Sequence, residues 1–140
     1  MPTIRVEFQV EVKAGAERLW DILTDVKSWP EWQVTSYIKP IPAGPLKEGS
    51  TFKVKLGGLT WNLTVTEAER PKKVSWLARR TGLNALHEWE FVEKGGTTKA
   101  VTRESMSGWM LFLSYPIAKR NLQKADEKWL SDLKSRAEKI

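Results

Sequence analysis

Two glycine pairs constrain this chain more than any other feature. Gly57-Gly58 and Gly95-Gly96 each lie between runs in which apolar and polar residues alternate. A two-residue turn with positive φ at both positions joins antiparallel strands with the correct twist, and glycine takes that conformation without steric cost. Such a turn also fixes the register. The first pair sets Leu56 opposite Leu59, Val54 opposite Trp61 and Phe52 opposite Leu63, with Lys53 and Lys55 beside Asn62 and Thr60 on the other face. The second sets Phe91 opposite Ala100, Trp89 opposite Thr102 and His87 opposite Glu104. In both hairpins the large apolar residues fall on one face, so turn chemistry and hydrophobic pattern agree.

The rest of the chain extends this sheet. Ile4, Val6, Phe8, Val10 and Val12 alternate with Arg5, Glu7, Gln9 and Glu11, which predicts a strand with one dry face. Further strands are predicted at 34–39, 50–56, 59–68, 73–80, 84–93 and 97–106, with Pro40, Pro42, Gly44 and Pro45 in a loop. After the first strand, Leu19, Trp20, Ile22, Leu23 and Val26 follow helical spacing from about Ala14, and Pro30 suits the first turn of a second short helix near 28–32. Beyond Gly108, Leu111, Tyr115, Ala118, Leu122, Ala125, Trp129, Leu133 and Ala137 recur at steps of three and four. They predict one long helix, in which Pro116 begins the regular part or makes a kink. Its stripe mixes alanine with large residues, which suits close packing at some points and empty space at others. All tight connections are hairpins, and only the last helix is long enough to cover the dry face. The expectation is an α+β fold over 1–140 as one domain. A curved seven-stranded antiparallel sheet wraps around a long C-terminal helix, with two short helices after the first strand and space where the helix does not fill the curl.

Composition narrows the chemistry. The 140 residues include no cysteine and one histidine, which excludes disulfides and thiolate chemistry and argues against a protein-built zinc or copper site. No metal and no cofactor are expected. GxGxxG, P-loop and GxSxG patterns are absent. No signal peptide is visible, and the longest apolar run, Trp109 to Leu113, is far shorter than the roughly 20 residues of a membrane span. A cytoplasmic location is expected. The net charge is +6, with acids interleaved through most of the chain. That reads as a solvated surface with a basic bias; no DNA partner is expected, and RNA or the ribosome is the polyanion the charge leaves open.

Several stretches carry a resemblance: Ala16 to Trp32, Glu48-Gly-Ser-Thr-Phe52, Pro71 to Trp76, Trp89-Glu-Phe91, Gly95-Gly-Thr97 and Trp129 to Glu138. Over essentially its whole length the chain resembles the START-like helix-grip proteins of the SRPBCC superfamily, in the polyketide cyclase/dehydrase and coenzyme Q-binding branch. The resemblance implies a hydrophobic cavity between sheet and helix. Members include lipid and sterol carriers, hormone receptors, aromatic-ring cyclases, co-chaperone-like modules and small toxins, so it does not settle an activity.

The second hairpin gives the sharpest candidate. Trp89 and Phe91 mark a dry face, and period-2 geometry puts His87 on it, directly across from Glu104. The pair fits three roles: a polar anchor in a pocket wall, a general acid–base dyad, or a structural pair. A one-residue slip would turn Val101 and Arg103 inward instead. Trp61, Trp76 and Trp89 point inward from three strands, either lining a pocket or filling the core. Trp29 and Trp32 belong near the pocket mouth in the implied fold, Trp32 as a lid contact, while Trp20 and Trp129 are assigned to packing. Ser105 and Ser107 face away from His87, so no nucleophilic triad is expected. The candidate ligand-binding residues are Trp32, Phe52, Trp61, Trp76, His87, Trp89, Thr102, Glu104, Leu111 and Tyr115. His87 and Glu104, with Tyr115 beside them, are the candidates for catalysis. The leading expectation is binding or transport of a small apolar or amphipathic molecule such as a lipid, quinone or aromatic polyketide. The alternatives are a cyclase/dehydratase-like enzyme and a protein- or ribosome-interaction module.

Overall fold

A computed structural model describes residues 2–139 apart from Val34, Ser36 and Gly57. Strand β1 (Thr3–Val12) is followed by α1 (Ala16–Thr24), a 3-10 turn (Val26–Ser28) and α2 (Trp29–Trp32). Six strands come next: β2 (Ile38–Lys39), β3 (Thr51–Leu56), β4 (Leu59–Glu69), β5 (Lys73–Arg80), β6 (Leu83–Lys94) and β7 (Thr97–Ser107). Helix α3 (Leu111–Glu138) ends the chain. The seven strands form one antiparallel sheet in the order β1-β7-β6-β5-β4-β3-β2. This is the helix-grip α+β architecture anticipated from the pattern.

Both hairpin registers follow from their turns. Val54 pairs with Trp61 and Phe52 with Leu63 across β3 and β4. Gly57 lies outside the described residues, while Gly58 has φ +80°. Across β6 and β7, His87 pairs with Glu104, Trp89 with Thr102 and Phe91 with Ala100. Gly95 and Gly96, at φ +60° and +83°, make the turn that L side chains resist. Two local features differ from expectation. The strand predicted at 34–39 is only Ile38–Lys39, with Val34 and Ser36 outside the described residues. Ahead of it, Thr35 is turned back onto Gln33 by a backbone hydrogen bond of 2.9 Å, and Pro40 and Pro42 lack the donors to prolong a ladder. Pairing of β4 with β5 also shifts between Val65 and Glu67, a bulge that bends the sheet around the helix.

Helix α3 is interrupted near its start. Ser114 has non-helical angles (φ −145°, ψ 22°), two residues before Pro116, whose ring and missing N–H disrupt the preceding turn. Both ends of the helix are tied down. At its start, the amide of Met110 donates to the Gly82 carbonyl at 3.2 Å. There Gly108, at φ +141°, sits so close that a side-chain carbon on it would run into that same carbonyl. At its end, Arg18 donates to the carbonyls of Ala137 (2.7 Å) and Lys139 (2.9 Å), and Lys134 donates to the Glu11 carbonyl at 3.0 Å. Arg18 thereby satisfies acceptors that the helix leaves unpaired at its C-terminus, and Lys134 ties the same end to β1.

Between these anchors lies an aromatic core. Trp29, Trp76 and Trp89 are each at most 1% exposed. Burying 150–250 Å² of ring at 25 cal/mol per Å² gives about 4–6 kcal/mol each before the cost of ordering. Trp29 touches Phe52, Trp76 and Trp129 at centroid distances of 5.8, 5.6 and 5.3 Å. Its indole N–H donates to the Leu23 carbonyl at 2.9 Å.

Candidate functional site

The sheet and α3 do not meet everywhere. Between them lies a cavity of about 600 Å³, walled mainly by β3–β7 and by α3 from Leu111 to Asp132. Trp61 and Leu63 come from β4, Trp76 and Ala78 from β5, Met106 from β7, and Leu111, Ala118 and Leu122 from α3. Ala118 on α3 leaves room where a larger side chain would enter the space. The wall is mostly apolar, with one largely buried polar cluster: His87, Glu104 and Asp126.

Each member of that cluster is fixed by a different element. Strand β6 points His87 inward, where it is 2% exposed. Its ring contacts Trp76, Trp89 and Trp129 at centroid distances of 5.3, 5.1 and 5.1 Å. Nε2 lies 2.7 Å from the hydroxyl of Thr102. Nδ1 lies 3.5 Å from Oε1 of Glu104, presented by β7. Asp126 enters from α3, is 2% exposed, and its Oδ2 has no hydrogen-bond partner among the described residues. The donor atoms of all three residues lie within 4.8 Å of one another.

The electrostatics follow from burial among indoles. Desolvation lowers the pKa of His87 below its ordinary 6.5, and the carboxylate of Asp126 only partly opposes this. Desolvation pushes Glu104 well above its ordinary 4.5, and Asp126 adds both charge repulsion and a hydrogen bond that favours the protonated form. Burial therefore shifts the contact between His87 and Glu104 away from an ion pair and toward a neutral ring beside a protonated carboxyl. Burial penalises both charges, and a 3.5 Å separation returns too little attraction to recover that cost. Chemically, the cluster offers a carboxyl that donates a proton, an acceptor oxygen on Asp126 and an imidazole held by Thr102. It is also the one group among the described residues that gathers three metal-ligand side chains.

Of the residues singled out from sequence, the structure brings Trp61, Trp76, His87, Glu104 and Leu111 to the cavity wall. The others stand behind it or away from it. Phe52 is covered by Trp29, and Trp89 stacks on the far side of His87. Thr102 is fully buried and acts through its bond to the imidazole. Tyr115 turns toward β1, its hydroxyl donating to the Thr3 carbonyl at 3.4 Å. Trp32 packs against the core, and its neighbour Gln33 reaches the cavity instead. Trp29, expected near the mouth, is completely buried.

Trp129 packs in the aromatic core, as expected, and also lines the cavity, touching both His87 and Trp76. The apolar stripe of the last helix includes Ala125, which is exposed on the outer rim of the wall, and leaves out Asp126. Spacing alone points to Asp126: it stands four residues after Leu122 and three before Trp129, on the stripe itself.

Comparison with known proteins agrees with this architecture. No curated protein sequence matches the chain. Among solved structures, a START superfamily protein from Mycobacterium smegmatis superposes with a TM-score of 0.79 at 17% identity, over 96% of this chain and 97% of that one. The Zhui aromatase/cyclase from Streptomyces sp. R1128 superposes with a TM-score of 0.77 at 17% identity, over 98% and 94%. A hypothetical protein from Helicobacter pylori gives 0.81 at 17%, over 97% and 88%. At such identities the likeness is one of fold. The family described as polyketide cyclase/dehydrase and lipid transport matches residues 3–138. With nearly the full chain matched and the helix-grip architecture in place, this protein belongs to the polyketide cyclase/dehydrase and lipid transport family.

Proposed function

We propose that the protein binds a small, mostly apolar molecule bearing one hydrogen-bonding group, with that group seated on Glu104, Asp126 and His87. The observation that carries this reading is a cavity of about 600 Å³ with a mostly apolar wall, in which one largely buried cluster carries a carboxylate oxygen with no partner among the described residues. Its volume is in the range of about 300–1,000 Å³ that accommodates small ligands. Native mass spectrometry of freshly purified protein is expected to show a co-purifying small molecule. Quinones, fatty acids or flavonoids are expected to quench tryptophan emission, because Trp61, Trp76 and Trp129 line the space. Quenching is expected to weaken in Glu104→Gln and His87→Ala. No retained molecule and no quenching by any of these compounds would refute the reading.

A second reading is supported by the same cluster. A protonated carboxyl beside a neutral imidazole is the arrangement a cyclase or dehydratase uses to protonate one oxygen and remove a proton elsewhere. Turnover of a poly-β-ketone by the isolated protein, abolished in Glu104→Gln, would select this reading; ligand binding without turnover would select the first.

A further inference from the structure

The cavity opens at one end of the molecule, and that end is unlike the rest of the surface. Leu59 and Ile117 line the space yet are 38% and 66% exposed, which places them on its rim. Beside them, at the beginning of α3, Trp109, Phe112 and Leu113 are 54%, 69% and 82% exposed. Of the five consecutive apolar residues Trp109 to Leu113, only Leu111 is fully buried. Large apolar side chains that protrude together are costly in water and mark an interaction surface.

The charge beside this tip is one-sided. Residues 105–125, which carry the tip and the first part of α3, contain Lys119, Arg120 and Lys124 and no Asp or Glu. Among the described residues none of these three cations takes part in an ion pair, whereas Lys128, Lys134 and Arg136 further along the same helix all do. Arg80 lies over the ring of Trp61, 6.0 Å from its centroid, at the cavity wall.

We infer that this end docks on an anionic lipid bilayer, with Trp109, Phe112, Leu113 and Ile117 inserted among the headgroups and Lys119, Arg120 and Lys124 facing lipid phosphates. An apolar tip flanked by unpaired cations is complementary to a negatively charged interface. Five apolar residues are too few to span a bilayer but enough to enter its surface. A protein partner would instead be met by a groove or a flat patch, and these side chains project from a helix end. Docking here faces the cavity mouth toward the acyl region, so an apolar guest passes between lipid and protein without crossing water.

The test is co-sedimentation of the full chain with phosphatidylcholine vesicles containing about one-third phosphatidylserine, against pure phosphatidylcholine. Binding is expected to the anionic vesicles and to fall about tenfold in Phe112→Ser/Leu113→Ser, and by a similar factor in Lys119→Glu/Arg120→Glu or on raising the salt from about 0.05 to 0.3 M. Phe112 and Leu113 are exposed and do not line the cavity. Their variant is expected to keep the wild-type melting temperature and ligand quenching, which separates failure of docking from failure of cargo binding. Absence of wild-type binding to anionic vesicles, or undiminished binding by Phe112→Ser/Leu113→Ser, overturns the inference. So does a dimer, or a complex with an acidic protein, that buries these side chains while vesicles leave the protein in solution.

Discussion

Replacing Asp126 with leucine is expected to stabilise the protein. Asp126 is 2% exposed, and its Oδ2 has no partner. Leaving a buried polar atom unsatisfied costs about 1–3 kcal/mol, and more when it is charged. Against this, the substitution removes the hydrogen bond from Glu104 to Asp126, worth about 0.5–1.5 kcal/mol. From the middle of each range, the net gain at neutral pH is about 1 kcal/mol. With an unfolding entropy near 2.1 cal/mol/K per residue over 140 residues, that raises Tm by about 3 °C. The gain has a definite pH dependence. The folded-state pKa of Glu104 lies above its ordinary 4.5, so the native state holds the extra proton and stability falls as pH rises from 4.5 toward the folded value. Asp126 is a cause of that shift, so Asp126→Leu removes part of the loss and its advantage grows with pH. His87 works in the opposite sense. Its folded-state pKa lies below 6.5, so its contribution is complete above that pH and is lost as pH falls through 6.5 toward the folded value. Because Asp126 partly supports the protonated ring, its removal also trims the gain in acid. Calorimetry across this range, with Asp126→Asn as the variant that removes charge but keeps shape, measures the effect. A Tm below wild type at pH 8, or an advantage that shrinks as pH rises, would refute the reasoning.

Three other outcomes follow from the packing. Trp129→Ala removes a ring that touches Trp29, Trp76, His87 and Trp89, and should lower stability by about 3–5 kcal/mol in chemical denaturation. Thr102→Val deprives the buried Nε2 of His87 of its 2.7 Å partner, and should cost about 1–3 kcal/mol with the imidazole resonances shifted in NMR spectra. Gly108→Ala sets a methyl group against the Gly82 carbonyl at φ +141°. It should cost at least about 1–3 kcal/mol in thermal melts, whereas Gly95→Asn, at a tolerant φ of +60° in open space, should cost far less.

Much of this architecture was legible because two-residue glycine turns and alternating side chains carry the same information twice. The His87–Glu104 pairing followed from Gly95-Gly96 alone. What stayed hidden was depth. Alternation tells which face Phe52 and Trp89 occupy, but not that Trp29 covers the first or that His87 stands between the second and the cavity. Polarity and geometry disagree on α3: the helical step from Leu122 to Trp129 passes through Asp126, while an apolar stripe passes through its exposed neighbour Ala125. The bulge between Val65 and Glu67 leaves no mark, because the apolar alternation of β4 runs up to it unbroken and Thr66 binds Ser75 across the strands at 2.8 Å. The family's features placed a cavity between sheet and helix; its volume depends on how far α3 stands from β4 and β5, a distance no pattern of residues encodes.

The two anchorages of α3 make it behave as a beam clamped at both supports. Glycine-to-glycine contact grips the near support, and Arg18 with Lys134 grips the far one. Ser114, at the lip of the void, is the one residue of the span with non-helical angles. Carried by its supports, the helix keeps its place over the empty space without needing the sheet to prop its middle, so the hollow costs the architecture no anchorage.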